Sequence, residues 1–154
     1  MKETERIGRL VKALYNGHPW LEVNMMDNLS KLSWQKAGQK AHPKLNSIWE
    51  IVNHLISWRT NVLRRVQGEV IKTPANNYFA QVTDQSEQAW LRTLDNLQAS
   101  QEAWIQFLEQ AEDDILERTY PVNNMPFYEH MHGIIQHDAY HLGQIVLLAK
   151  MQAD

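Results

Sequence analysis

The sequence predicts an all-α protein, an antiparallel four-helix bundle, and three observations carry that prediction. Three of the six glycines and all five prolines gather at a few joints: Gly17 with Pro19, Gly38 with Pro43, Gly68 with Pro74, and Pro121 with Pro126. Between the joints, apolar residues recur at steps of three and four, the period of a helix with one buried face. No alternating run bounded by turn residues suggests a strand, and there is no fixed repeat or low-complexity tract.

The first block spans roughly residues 3 to 31 and is expected to break near Asn16 to Pro19, because proline disfavours helix in the residue before it. Trp20 then opens its second part. The next block starts at Ser47, with Glu50 three residues on, a spacing that lets the two side chains satisfy free backbone N–H groups at the helix start. It runs to about Gln67, and Gly68 ends it. Asp84 with Glu87 repeats the cap signature before a third block, where Trp90, Leu94, Leu97, Gln101, Trp104, Leu108 and Ala111 form a core-facing stripe. The stripe is nearly heptadic, so packing on a second copy as a homodimer is a further expectation. The last block begins around Pro126, and Ile134, Ile135, Leu142, Ile145, Val146, Leu147 and Leu148 give it apolar residues on more than one side. Four such blocks joined by connections of moderate length read as one antiparallel bundle over residues 1–154.

A chain of 154 residues fits one domain, large enough to bury roughly 70% of the surface its unfolded form exposes. A formal charge of −3 without a Lys/Arg-rich run argues against nucleic acid or an anionic membrane as partner. Met1 to Arg9 is charged instead of forming an apolar signal core, and no stretch approaches the ~20 apolar residues of a membrane span. The expectation is a cytoplasmic protein that meets a small molecule. The absence of cysteine removes disulfides, thiolate metal sites and a cysteine nucleophile, so a tightly held metal would need imidazole and carboxylate ligands. The seven histidines are therefore the residues to follow.

His137 and His141 lie four apart, so on a helix both can present a ring nitrogen to one ion at ~2.0–2.1 Å. A third ligand must come from elsewhere, and His54 is the best candidate. It sits within the run Ile48, Trp49, Ile51, Val52, Leu55, Ile56, Trp58, which any bundle of these helices must bury. An imidazole taken from water without a partner costs about 1–3 kcal/mol, and a metal would supply that partner. The stripe His130, Ile134, His137, His141, Gln144, Ile145, Leu148 shows the same anomaly, histidine where a plain bundle would carry leucine. Such a pair also arises by chance, and a lone core histidine is more often hydrogen-bonded than metallated, so spacing alone leaves both readings open. Asp138, not glutamate, follows His137, which argues against a zincin-type protease.

Several neighbours have two readings. Asp138 lies about 100° around the helix from His137 and is either a surface residue or one that orients a ligand on another helix. Glu50 is a cap, or a base one turn before His54. His130, two turns and ~10 Å before His137, is too far for joint ligation but could line a pocket mouth. Trp58 and Tyr140 are pocket walls or core, Tyr128 and Gln144 are pocket candidates, and Trp49, Trp90 and Trp104 belong to the core. His132 points elsewhere; it and the loop residues His18 and His42 are expected to be solvated.

The final block, GIIQHDAYHLGQIVLLAK from Gly133 to Lys150, together with SIWEIVNHLISWR from Ser47 to Arg59, resembles the DinB superfamily, which includes the YfiT-like proteins. The likeness extends to Pro19–Trp20, to Gly68 after the second helix and to the PFYEHMHG approach to the last helix. It implies a four-helix bundle in which a second-helix histidine and an H-x-x-x-H pair bind a divalent metal, nickel or zinc, at positions that fall here on His54, His137 and His141. Three protein ligands leave coordination positions for water or substrate, the arrangement of a reactive site. The resemblance therefore implies either of two enzymes, a transferase acting on a low-molecular-weight thiol such as bacillithiol or a hydrolase. The alternative is a non-catalytic metal-binding stress-response or sensor protein.

Overall fold

A computed structural model of the chain describes residues 1–152, and its regular elements are all helical. Its elements are α1 (Glu3–Asn16), α2 (Met25–Leu29), α3 (Trp34–Gly38), α4 (Ile48–Val66), α5 (Glu87–Gln110), a 3₁₀ turn (Asp113–Glu117) and α6 (Phe127–Met151). Among the described residues no strand forms; a single antiparallel bridge joins Thr119 to Pro126. None of these helices is long and apolar enough to cross a membrane.

The start of α4 follows from its sequence. Ser47 Oγ accepts from the Glu50 N–H at 3.1 Å, and Glu50 Oε2 accepts from the Ser47 N–H at 2.8 Å. Its end is equally local: Gly68, at φ +102°, donates to Arg65 O while Glu69 donates to Arg64 O, a left-handed stop open to a residue without Cβ.

Other ends differ from expectation. Residues 17–31 do not continue the first helix, and Trp20 is 96% exposed in a turn instead of opening a helix. Asn24 caps the short α2 with a 2.9 Å bond from the Asp27 N–H, so the chain restarts later than Pro19 suggests. The cap of α5 is Ser86, which accepts from Ala89 N, and not Asp84, whose carboxylate takes the Ser86 N–H in the preceding turn. Ala111 lies just past the end of α5. The short α3 and the 3₁₀ turn carry too little periodicity to be foreseen. The N-terminus of α1 lacks a side-chain cap of its own; the Asp113 carboxylate accepts from the Glu3 and Thr4 N–H groups instead.

Each long helix packs on two others: α1 on α5 and α6, and α4 on α5 and α6. Two apolar clusters fill the interior, one around Trp49, Leu55, Trp90 and Leu142, the other around Ile7, Trp104, Leu108 and Met131. The expected core tryptophans, Trp49, Trp90 and Trp104, are there, and two of their indoles are served: Trp49 Nε1 donates to Thr93 Oγ1 and Trp104 Nε1 to Arg59 O, each at 2.9 Å. The face of α4 that carries His54 therefore meets the face of α6 that carries His137 and His141.

Candidate metal centre

His54, His137 and His141 converge, with one ring nitrogen from each lying within 4.8 Å of the others. His54 and His141 are buried, and His137 is half-buried. The Nε2 atoms of His54 and His137 are 3.0 Å apart.

The protonation pattern follows from the other ring nitrogens. His54 Nδ1 lies 2.7 Å from Asn77 O, a carbonyl that only accepts, so Nδ1 carries the proton and Nε2 an open lone pair. His141 Nδ1 lies 2.7 Å from Gln144 Oε1, whose amide nitrogen donates to Tyr140 OH, and the same logic opens His141 Nε2. His137 Nδ1 is buried and has no partner. His54 and His141 thus each keep an open lone pair on Nε2, and the 3.0 Å approach of His137 Nε2 is a hydrogen bond in which it donates to His54; the two rings oriented from behind by hydrogen bonds are held as metal-bound imidazoles are.

Electrostatics agrees. Burial pushes the pKa of His54 down to about 4, against the opposing pull of its bond to Asn77 O, and the positive charge of a protonated His141 would lower it further. Burial, then the charges of His141, His54 and Arg59, push His137 down to about 3. Burial lowers His141 as well, while the Gln144 bond and the Asp138 charge work the other way. All three rings are therefore neutral at pH 7, the form in which imidazole can bind a metal.

The site has a roof that local sequence did not disclose. Asn77 and Tyr78 both sit in the left-handed region, at φ +54° and +61°. That turn brings Asn77 O to His54, Asn77 Oδ1 to Trp58 Nε1 at 3.0 Å and Tyr78 OH to Asn61 Nδ2 at 2.9 Å. Phe79 stacks on His54, with ring centroids 3.8 Å apart and planes 8° from parallel. Pro74 and the asparagines at 76 and 77 signal a turn, but no local pattern tells which ring it will reach.

Asp138 is neither on the surface nor bonded to a histidine: Arg59 donates to its Oδ2 from Nε at 3.0 Å and Nη2 at 2.6 Å, in a pair whose side chains are 1% and 3% exposed. Arg59 Nη1 reaches Gln101 Oε1 at 2.9 Å, which explains a glutamine in the stripe of α5. Glu50 is the cap and also meets Lys40 Nζ at 3.4 Å. Trp58 borders the site, its ring 6.1 Å from His137. Tyr140 is largely exposed beside His141 and supports Gln144.

His130 stays apart from the triad, buried against Tyr120 and Phe127 with Nδ1 at 3.1 Å from Pro126 O. His18 and His42 are exposed as expected. His132 is half-buried beside Tyr128 and is not the solvated side chain expected, because the two lie four apart on one face of α6. Tyr128 and His132 line a separate cavity of about 500 Å³ with Met125 and Gln136.

A concavity of about 680 Å³, walled by Tyr15, Gln98 and Gln101 among others, contains none of the three histidines. A smaller one of about 230 Å³ includes Ile51 and Gln144, one turn from His54 and His141, and Leu148 a turn further on. The smaller one adjoins the triad through Gln144, whose Oε1 accepts from His141 Nδ1.

Comparison with curated proteins and with solved structures returned no match. The family model of the DinB superfamily matches residues 23–145, a span that holds all three histidines, the whole of α4 and α6 as far as Ile145. The chain belongs to the DinB superfamily.

Proposed function

We propose that the chain holds one divalent metal ion, nickel or zinc, through Nε2 of His54, His137 and His141, and that it acts on a small-molecule substrate at the positions left open. The observation that carries this reading is the convergence of three uncharged imidazoles, two of them with Nδ1 tied to an acceptor and the third with Nδ1 unpartnered. When bound, the ion would supply Lewis acidity that lowers the pKa of a coordinated thiol or water. Asn77 and Gln144 orient two of the rings, and Phe79 and Trp58 limit the water around them.

Within this reading a thiol S-transferase, using a low-molecular-weight thiol such as bacillithiol, ranks before a hydrolase. Glu50 is engaged by its cap and Lys40, and Asp138 by Arg59, so neither carboxylate serves as a base toward water. A thiol of lowered pKa needs no such base. The same lack of a free acid or base favours a second reading, a non-catalytic metal-binding stress-response or sensor protein. Both readings take the ring of long helices as a single-domain antiparallel bundle of DinB/YfiT type in the cytoplasm that pairs as a homodimer through α5.

The test is elemental analysis of the untagged protein beside a His137→Ala, His141→Ala double variant. About one metal per chain, lost in the variant, is the expected result. No metal in either, even after reconstitution with nickel or zinc, overturns the proposal. Turnover of thiol substrates by the loaded protein then separates enzyme from sensor.

A further inference from the structure

Buried polar atoms in folded proteins nearly always have partners. Four that lack one lie on the facing stripes of α4 and α6 that also carry the histidines: Asn61 Oδ1, Arg65 Nε, His130 Nε2 and His137 Nδ1. Asn61 and Arg65 follow His54 by two and three turns on α4, and His130 precedes His137 by two turns on α6. Ring contacts join them into one seam. The Arg65 guanidinium carbon is 5.5 Å from the Trp58 ring and 4.7 Å from the Tyr120 ring. Trp58 lies 6.1 Å from His137, and Tyr120 lies 5.5 Å from His130.

The donors and acceptors left over define a ligand. Arg65 is half-buried and, unlike its neighbours Arg59 and Arg64, has no carboxylate partner among the described residues. Its one side-chain hydrogen bond is a 3.3 Å contact from Nη2 to Thr73 Oγ1. A guanidinium held between two aromatic rings keeps a planar edge suited to a carboxylate. Asn61 spends its amide N–H on Tyr78, and His130 directs Nδ1–H at Pro126 O, so Asn61 Oδ1 and His130 Nε2 are spare acceptors.

We propose that this seam binds the tail of the substrate whose reactive group meets the three histidines, and that the tail carries a carboxylate held by Arg65. A hydroxyl or amide N–H on the same molecule would satisfy Asn61 or His130. The proposal rests on the triad being the reacting centre. It adds the substrate class: a small molecule with a carboxylate set apart from its reactive group by no more than the two ring spacings that separate Arg65 from His137.

The test compares 6-mercaptohexanoate with 6-mercaptohexanol, titrated calorimetrically into nickel-loaded and metal-free protein, for the wild type, R65Q and R65K, with circular dichroism confirming the fold of each. The acid should bind at least about tenfold tighter than the alcohol in the wild type, the order of one hydrogen-bonded charge. The preference should vanish in R65Q, survive in part in R65K, and be present with and without metal. No preference for the acid, or one unchanged in R65Q, overturns the subsite. A protein that takes up no metal yet prefers the acid through Arg65 overturns the metal reading and leaves the subsite standing.

Discussion

Replacing Arg59 with methionine while leaving Asp138 in place keeps much of the aliphatic stem but strands a carboxylate between α4 and α6. In the native protein Asp138 Oδ2 receives two bonds from Arg59, and Oδ1 already has no partner, so nothing else nearby compensates the charge. The pair is almost fully shielded from water, which places it in the class where removing one member costs about 3–5 kcal/mol. For a chain of this size that corresponds to a fall in melting temperature of about 6–20 °C. The Gln101 side chain loses its donor as well. Thermal and urea unfolding followed by circular dichroism measure the loss. The double variant Arg59→Met, Asp138→Leu should recover most of it, because the desolvated charge goes with its partner. A single variant that loses less than about 1 kcal/mol, or a double variant no more stable than the single, would refute the claim that the buried pair locks these two helices.

Two further outcomes follow from the same structure. Ser47→Ala removes the hydroxyl that accepts the Glu50 N–H and should cost about 1 kcal/mol in chemical denaturation; a change below a few tenths would mean the cap is replaceable by water. Metal-free protein should lose stability as pH falls from 6.5, because the unfolded chain then takes protons that folded His54 and His137, with pKa values of about 4 and 3, refuse. Stability is flat in these groups above pH 6.5 and declines toward pH 4 and below. Melting temperatures from pH 7 to 5, where carboxylates contribute little, check this, and a flat profile contradicts the assigned neutral rings.

What the sequence by itself determines here is whatever a few neighbouring residues decide. The Ser47–Glu50 cap, the Gly68 stop and the shared face of His137 and His141 depend on helix geometry over one turn, and all three are legible. The apolar run around His54 likewise marks it as buried. Even locally, legibility fails where two residues compete for one role, as Asp84 and Ser86 do before α5.

Only the tertiary structure decides the rest, because the partners are far apart in the chain. His54 meets His137 across 83 residues, and Arg59 meets Asp138 across 79; both depend on how α4 and α6 sit against each other, which spacing within either helix does not encode. The Asn77 carbonyl reaches His54 through a left-handed turn, and Asp113 caps α1 from the other end of the chain. Each of these polar groups is satisfied only once the helices have packed, since packing removes the water that served it before.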